Sequence, residues 1–263
     1  KEQTENKKKS IIFSLSDNSF TEVLSFLSNR NNLNAIDKNL NRIYRLYLYN
    51  NSYIRLNKNY SIMYYENEEF RNMIKSKVSN LRNQLSLDLR DFGNITDVSV
   101  LGGVHSLNLC RCNNITDVSA LGGVHTLDLS GCNMITDVSA LGGVHTLYLR
   151  CCDNITDVSA LGGVHNLYLS YCSKIKDVSA LGGVHTLDLS HCVMITDVSA
   201  LGGVHNLNLS HCQKIKNVST LGRVHKLILP ECISISNVND LGDVHILDLN
   251  CCKKIKDVSK LGK

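Results

Sequence analysis

Residues 104–123 read V-H-S-L-N-L-C-R-C-N-N-I-T-D-V-S-A-L-G-G. The same grammar returns at Val124, Val144, Val164, Val184, Val204, Val224 and Val244, and an earlier copy starts at Gln84 with Phe92 in the slot of the second cysteine. Nine units of 20 residues thus fill residues 84–263. A fixed period of this length signals a repeat architecture, in which one unit cannot bury its apolar face alone and stacking supplies the core. With Val104 as position 1, Leu107 and Leu109 stand two residues apart and share one face of a short strand, leaving Ser106, Asn108 and Cys110 on the other. Cys112, Ile115, Val118, Leu121 and Val124 then follow every third residue, the period of 3₁₀-like turns rather than of an α-helix. Each unit is expected to be one coil of an α/β solenoid, with a parallel β-sheet on one face and short turns on the other. At the usual strand spacing, nine coils extend on the order of 40 Å.

Three columns carry residue types associated with chemistry. Position 9 is Cys112, Cys132, Cys152, Cys172, Cys192, Cys212, Cys232 and Cys252; position 2 is histidine from His105 to His245. Position 14 is Asp97, Asp117, Asp137, Asp157, Asp177, Asp197 and Asp257, with Asn217 and Asn237 in the remaining two units. An active site needs one specific constellation, whereas these residues form uniform columns, so no catalytic residue, metal site or cofactor is expected. The cysteines read as small buried thiols filling the turn after the strand. Cys110, Cys151 and Cys251 stand off that ladder and are expected to be more exposed. Stacked imidazoles would repel if charged, so the histidines are expected to be neutral near pH 7. Asp exchanging with Asn fits a side-chain cap at the start of a turn. Position 19 is glycine in every unit and is expected to need a backbone conformation that favours glycine; position 20 becomes Arg223, Asp243 and Lys263 in the last three.

Binding information lies where the scaffold varies. Positions 3, 5 and 7 point out of the strand face, and position 8 sits at its edge. Tyr148, Tyr168, Tyr171 and Arg150 fall on adjacent coils and form an aromatic and basic cluster, of the residue types that dominate binding hot spots. Asp128 and Asp188 at position 5, and His191 and His211 at position 8, extend this candidate surface for a protein partner. A second varying set, Lys174, Lys176, Lys214, Lys216, Lys253, Lys254 and Lys256, is read as protection of solubility and of the last open strand edge. End-to-end self-association of that edge is the alternative outcome.

The chain has 263 residues and a formal net charge of +4, too small an excess to imply binding to nucleic acid or a membrane. No run of about 18 apolar residues occurs, and the Lys-rich start has no apolar segment of a signal peptide behind it. Eleven cysteines, eight of them in one column, read better as thiols of a reducing, cytoplasmic compartment than as a disulfide framework. Residues 1–83 contain no glycine and are set apart as an N-terminal helical region that caps the first coil, with 84–263 as the solenoid. Phe20, Val23, Leu24 and Leu27 have helical spacing, as do Leu33, Ile36, Leu40 and Ile43, and a third helix is expected around Phe70, Met73, Ile74 and Val78. Val78-Ser79-Asn80-Leu81 looks like the tail of a degenerate earlier unit.

The repeat resembles the cysteine-containing leucine-rich repeats of F-box proteins, and its I-T-D-V-S-A-L segment resembles the turns of internalin-type repeats. The stretch Leu15–Leu56, containing S-F-T-E-V-L-S-F-L-S-N-R-N-N-L-N-A-I-D-K-N-L-N-R-I-Y-R, resembles a diverged F-box in which Leu15-Ser16 stands where the family has Leu-Pro. The combination is similar to repeat proteins of amoeba-infecting giant viruses. The resemblance implies a non-catalytic protein-interaction module, the substrate receptor of an SCF-type ubiquitin ligase. Leu15, Phe20, Val23, Leu24 and Leu27 would then meet a Skp1-type adaptor. The alternative is a structural or scaffolding repeat protein, such as a virion component, whose N-terminal helices only cap the solenoid.

Overall fold

In a computed structural model of the chain, residues 11–12, 54–77 and 85–262 are described. Their contacts define two compact units, Lys1–Leu89 with Val104–Leu107, and Arg90–Gly103 with Asn108–Lys263.

In the first unit, strands β1 (Ile11–Ile12), β2 (Ile54–Arg55) and β3 (Leu85–Asp88) pair in parallel, with Ile54 opposite both Ile11 and Leu85. Between β2 and β3 the chain forms helices α1 (Lys58–Glu66) and α2 (Glu68–Lys77). An asparagine starts each helix: Asn57 Oδ1 accepts the Tyr60 N–H at 3.0 Å, and Asn67 Oδ1 accepts the Phe70 N–H at 2.8 Å. Arg71 satisfies the end of α1 by donating to the Tyr64 and Tyr65 carbonyls at 3.0 and 2.8 Å. Tyr64, Phe70 and Ile74, on the two helices, are buried. The buried Ser61 hydroxyl donates to the Leu56 carbonyl and accepts the Asp88 N–H at 2.9 Å, which ties α1 to β3, the strand of the first coil.

The helix expected around Phe70, Met73 and Ile74 is α2. Val78, the fragment Val78–Leu81 and the helices expected over Phe20–Leu27 and Leu33–Ile43 lie outside the described residues. Neither α1 nor the two-residue strands β1 and β2 are among the sequence expectations. For α1 a signal exists, since Tyr60, Met63 and Tyr64 follow the capping Asn57 at helical spacing.

The remaining coils each contribute a three-residue strand: β4 (Ser106–Asn108), β5 (Thr126–Asp128), β6 (Thr146–Tyr148), β7 (Asn166–Tyr168), β8 (Thr186–Asp188), β9 (Asn206–Asn208), β10 (Lys226–Ile228) and β11 (Ile246–Asp248). From β5 to β11 all neighbours are parallel and the register advances by one whole repeat, Thr126 facing Thr146 and Leu127 facing Leu147. The turn side is built of short 3₁₀ segments such as Ser119–Leu121 and Ser139–Gly143, as the period of three requires. Positions 1, 4, 6, 9, 12, 15 and 18 point inward and are buried, from Ile95 through to Leu241. Each turn is opened by position 14, whose side-chain oxygen accepts the N–H two residues on: Asp137 from Ser139 at 2.8 Å, and Asn217 from Ser219 at 3.0 Å. That bond to the carboxylate holds the Asp137 carboxyl below its ordinary pKa.

Two backbone features differ from the sequence reading or go beyond it. From Gly102 to Gly242 position 19 has ordinary right-handed backbone, with φ −60 and ψ −16 at Gly122, so there the glycine does not permit a special conformation; only Gly262, in the last unit, has the left-handed φ of +79 that favours glycine. A Cβ on Gly122 would lie within 3.0 Å of the Ala140 carbonyl oxygen, and the same collision recurs at Gly142, Gly162, Gly182, Gly202 and Gly222. The requirement is close approach of the next coil. Position 8 is the left-handed position, with φ between 57 and 75 at Asp91, Arg111, Gly131, Cys151, Tyr171, His191, His211, Glu231 and Cys251.

At φ −60, an unobstructed Gly→Ala change would stabilise the chain by restricting the unfolded state. Gly122→Ala is instead expected to destabilise by about 1–3 kcal/mol, the usual cost of overpacking. Urea unfolding measures the sign, and a gain in stability would refute the close-approach argument.

Candidate functional site

The cysteine column is buried and hydrogen-bonded from coil to coil. From Cys132 onward each thiol donates to the position 6 carbonyl of the preceding coil: Cys132 to Leu109 at 3.1 Å, Cys172 to Leu149 at 3.0 Å, and so on to Cys252 and Leu229 at 3.1 Å. Burial, reinforced in several cases by neighbouring thiols, pushes Cys152, Cys212 and Cys232 up to about 12 and Cys132, Cys172 and Cys192 up as well. These groups are protonated donors at neutral pH. Off the ladder, Cys151 and Cys251 are exposed as expected. Cys110 is half-buried, more exposed than the ladder thiols as expected but less so than Cys151 and Cys251, and burial raises its pKa.

The strand face has its own internal logic, centred on position 5. There an Asp or Asn side chain folds back to accept the N–H of position 7: Asn108 from Cys110, Asp128 from Ser130, Asp188 from Ser190, Asn208 from Ser210 and Asp248 from Asn250, at 2.9–3.0 Å. Ile228 breaks the pattern, but its position 7 is Pro230, which has no N–H to satisfy. Tyr148 and Tyr168 break it without that excuse, since Arg150 and Ser170 keep their N–H groups and a phenol at position 5 does not fold back to them. The scaffold forgoes a local hydrogen bond on two adjacent coils to present aromatic rings.

Those rings stack, with centroids 4.6 Å apart and planes 6° from parallel. The Arg150 guanidinium carbon lies 5.8 and 5.1 Å from the Tyr148 and Tyr168 centroids, within cation–π range. Its Nη2 also lies 3.8 Å from Asp188 Oδ2. A second stack runs along position 8, where Tyr171–His191 and His191–His211 are both separated by 4.1 Å. Burial and the adjacent His211 pull the His191 pKa down, while Asp188 opposes them. The sequence-predicted residues therefore sort into two stacks, with Arg150 and Asp188 interacting between them. Asp128 and Asp188 serve the scaffold as caps, Asp188 also holding Arg150. Tyr171 remains 52 % exposed and presents the largest accessible ring of the cluster. Leu15, Phe20, Val23, Leu24 and Leu27 lie outside the described residues.

The position 2 histidines form a third stack, with successive rings from His125 to His245 at 4.5–4.8 Å. Among the described residues no three His, Cys, Asp or Glu side chains gather as a group able to hold a metal ion, and no helix is long and apolar enough to cross a membrane. A shallow groove on the turn side, lined by Asp117, Ser119, Asp137 and Ser139, repeats the position 14 capping motif and lies away from the aromatic stacks.

A profile of the leucine-rich-repeat family matches residues 124–141. No curated protein sequence matches the chain. Among solved structures, an internalin of Listeria monocytogenes, inlF, aligns over 63 % of this chain and 60 % of its own at 23 % identity, with a TM-score of 0.47. The functional domain of InlJ from the same bacterium, described as including a cysteine ladder, aligns over 68 % of this chain and 51 % of its own at 18 % identity and a TM-score of 0.42. A leucine-rich-repeat protein of Leptospira interrogans aligns over 65 % and 61 % at 13 % identity and 0.37. The fold is a leucine-rich-repeat solenoid.

Thiol exposure orders the cysteines by reactivity. Native protein treated with iodoacetamide at pH 8 is expected to be alkylated first at Cys151, then at Cys251, whose bond and proximity to Glu231 raise its pKa. The position 9 thiols should react only after unfolding. Peptide mass spectrometry reads the order, and early labelling of Cys172 or Cys192 would contradict the buried ladder.

Proposed function

We propose that the protein is a non-catalytic protein-interaction module whose binding site is the aromatic strand face. Tyr148, Tyr168, Arg150 and Tyr171 form its centre, with His191 and His211 extending it. One observation carries this reading: on two adjacent coils the scaffold replaces a capping Asp or Asn by Tyr and leaves the position 7 N–H without its usual acceptor. A purely structural surface has no reason to do so, whereas binding sites commonly sacrifice stability for contact area. Tyr and Arg supply that area with little conformational entropy to lose.

The finer proposal is that the partner is a substrate and the chain a receptor of an SCF-type ubiquitin ligase. The F-box resemblance of Leu15–Leu56 supports it, with Leu15, Phe20, Val23, Leu24 and Leu27 as the Skp1-type adaptor surface. The competing proposal is a scaffolding protein, including a virion component, that uses the same face. A cytoplasmic, reducing setting is proposed with both, supported by a column of thiols that act as hydrogen-bond donors, a role open only to reduced cysteine.

Tyr148→Asn with Tyr168→Asn restores the cap found in the other coils. The double variant should melt at the same or a higher temperature than the parent and lose the proteins that the parent captures from a host-cell extract. Unchanged capture would remove the strand face as the site. Co-purification with a Skp1-type adaptor separates the finer readings: binding lost in Leu24→Asp/Leu27→Asp supports the ligase receptor, and absence of binding by the parent leaves the scaffold.

A further inference from the structure

The position 8 stack has an open end. Tyr171, His191 and His211 stand on consecutive coils, with ring centroids 4.1 Å apart and planes 9° and 15° from parallel. Rings this close and this nearly parallel pack face to face, so their planes lie across the column and their faces look along it. Towards the C-terminus the column continues with the charged Glu231. Towards the N-terminus the next two coils carry Cys151 and Gly131, neither of which has a ring. The step from Cys151 to Tyr171 repeats the step from Tyr171 to His191. The Cys151 N–H donates to the Ser170 carbonyl and the Tyr171 N–H to the Ser190 carbonyl, both at 2.9 Å. Cys151, Tyr171 and His191 also share the left-handed backbone, with φ of 57, 64 and 61. One face of Tyr171 therefore packs on His191, and the other looks out over the short, exposed Cys151 side chain.

The neighbouring side chains are engaged elsewhere. Arg150, beside Cys151 in the chain, is turned to the other stack, over Tyr148 and Tyr168. Asp153 accepts the Ser173 hydroxyl at 3.0 Å, and the Lys174 amine donates to Asn154 Oδ1 at 2.7 Å. Among the described residues, His191 is the one ring partner of Tyr171, and no cation lies over its ring. A Cβ on Gly131 would lie 3.3 Å from Arg111 Cγ, so the stem of Arg111 marks the far side of the shelf. Strands repeat at about 4.8 Å, so a ring stacked on Tyr171 one coil further on would continue the column above Cys151. The two arginines of this edge are already paired, Arg111 Nη1 lying 3.8 Å from Asp91 Oδ1 and Arg150 Nη2 3.8 Å from Asp188 Oδ2. A nucleotide would need free cations for its phosphates, whereas an uncharged ring needs only the face of Tyr171.

We propose that the open face of Tyr171, above Cys151, receives an aromatic side chain of the protein partner, which extends the Tyr171–His191–His211 stack by one coil. The proposal rests on the strand-face reading only in assigning that ring to a protein; the stacking is testable without any partner. Cys151 lies beneath the proposed ring and serves as a tether. The parent protein is equilibrated in a thiol–disulfide buffer with two disulfides of matched tail, one ending in phenyl and the other in cyclohexyl. Each exchange forms one mixed disulfide and releases one thiol, and the ratio of tails at a given cysteine is independent of that cysteine's own reactivity. Peptide mass spectrometry reads the ratio at Cys151 and at Cys251, the other exposed thiol of position 8, which follows Glu231 rather than a ring. Cys151 is expected to favour phenyl about threefold more than Cys251 does, the effect of one aromatic pair. Tyr171→Gly, which the left-handed backbone accepts as it does at Gly131, should abolish the preference, and Tyr148→Asn/Tyr168→Asn should preserve it. Equal ratios at Cys151 and Cys251, or a preference that survives Tyr171→Gly, would overturn the proposal. Retention of oligothymidine by the parent at physiological salt, lost in Tyr171→Gly, would overturn it too, by giving the shelf to a nucleobase. Because the tail ratio involves no captured protein, its failure is distinct from failure of the capture test.

Discussion

Each residue of the solenoid stands beside its own copy one repeat away, at the spacing of hydrogen-bonded parallel strands. That register is the constraint from which the rest follows. Because Thr126 faces Thr146 and Leu127 faces Leu147, whatever a position contains becomes a column. Leucine and valine columns fuse into one continuous core. A thiol column finds the carbonyl of the previous coil within reach at every step, turning a small apolar residue into a link between coils. Imidazole and phenol columns stack because ring thickness allows faces to meet at strand spacing. The register also sets the tightest contact: turns on neighbouring coils approach so closely that position 19 has no room for a Cβ beside the next carbonyl.

This regularity decides what could be read in advance. The apolar columns, strand and turn alternation and position 14 caps were legible because each depends on spacing within one unit. The reason for glycine at position 19 was not, since the obstacle belongs to the following coil and the local backbone is ordinary. Position 8 was also hidden. Its backbone is left-handed in every coil from Asp91 to Cys251, yet only Gly131 has the residue usually associated with that conformation. A weaker signal was present, since no β-branched residue occupies that position. Residues 1–83 offered no repeat against which to compare a residue, and α1 passed unnoticed beside the more regular α2.

The candidate site was legible as a set of varying side chains but not as a structure. Tyr148, Tyr168 and Arg150 form a packed group, while Tyr171, His191 and His211 form another on the left-handed edge. Asp128 and Asp188, grouped with them by position, prove to share a scaffold duty with Asn108, Asn208 and Asp248. The clue was the recurrence of Asp and Asn two residues before position 7, including its lapse at Ile228, where Pro230 follows. Identifying that duty makes the tyrosines meaningful, because it shows what the chain does where no ring is wanted.

The pairing of Ile228 with Pro230 has a consequence for the descent of the molecule. A proline at position 7 would leave a capping Asp without its donor, and an apolar position 5 would leave an ordinary position 7 without its acceptor. Either change alone is a defect, whereas the two together remove donor and acceptor at once. Coils that diverge from a common unit should therefore change these two positions in concert. The coil carrying Tyr148 and Arg150 and the coil carrying Tyr168 and Ser170 have made only half of that exchange. In both, the position 7 N–H is kept while the Asp or Asn that accepts it in other coils is replaced by a phenol.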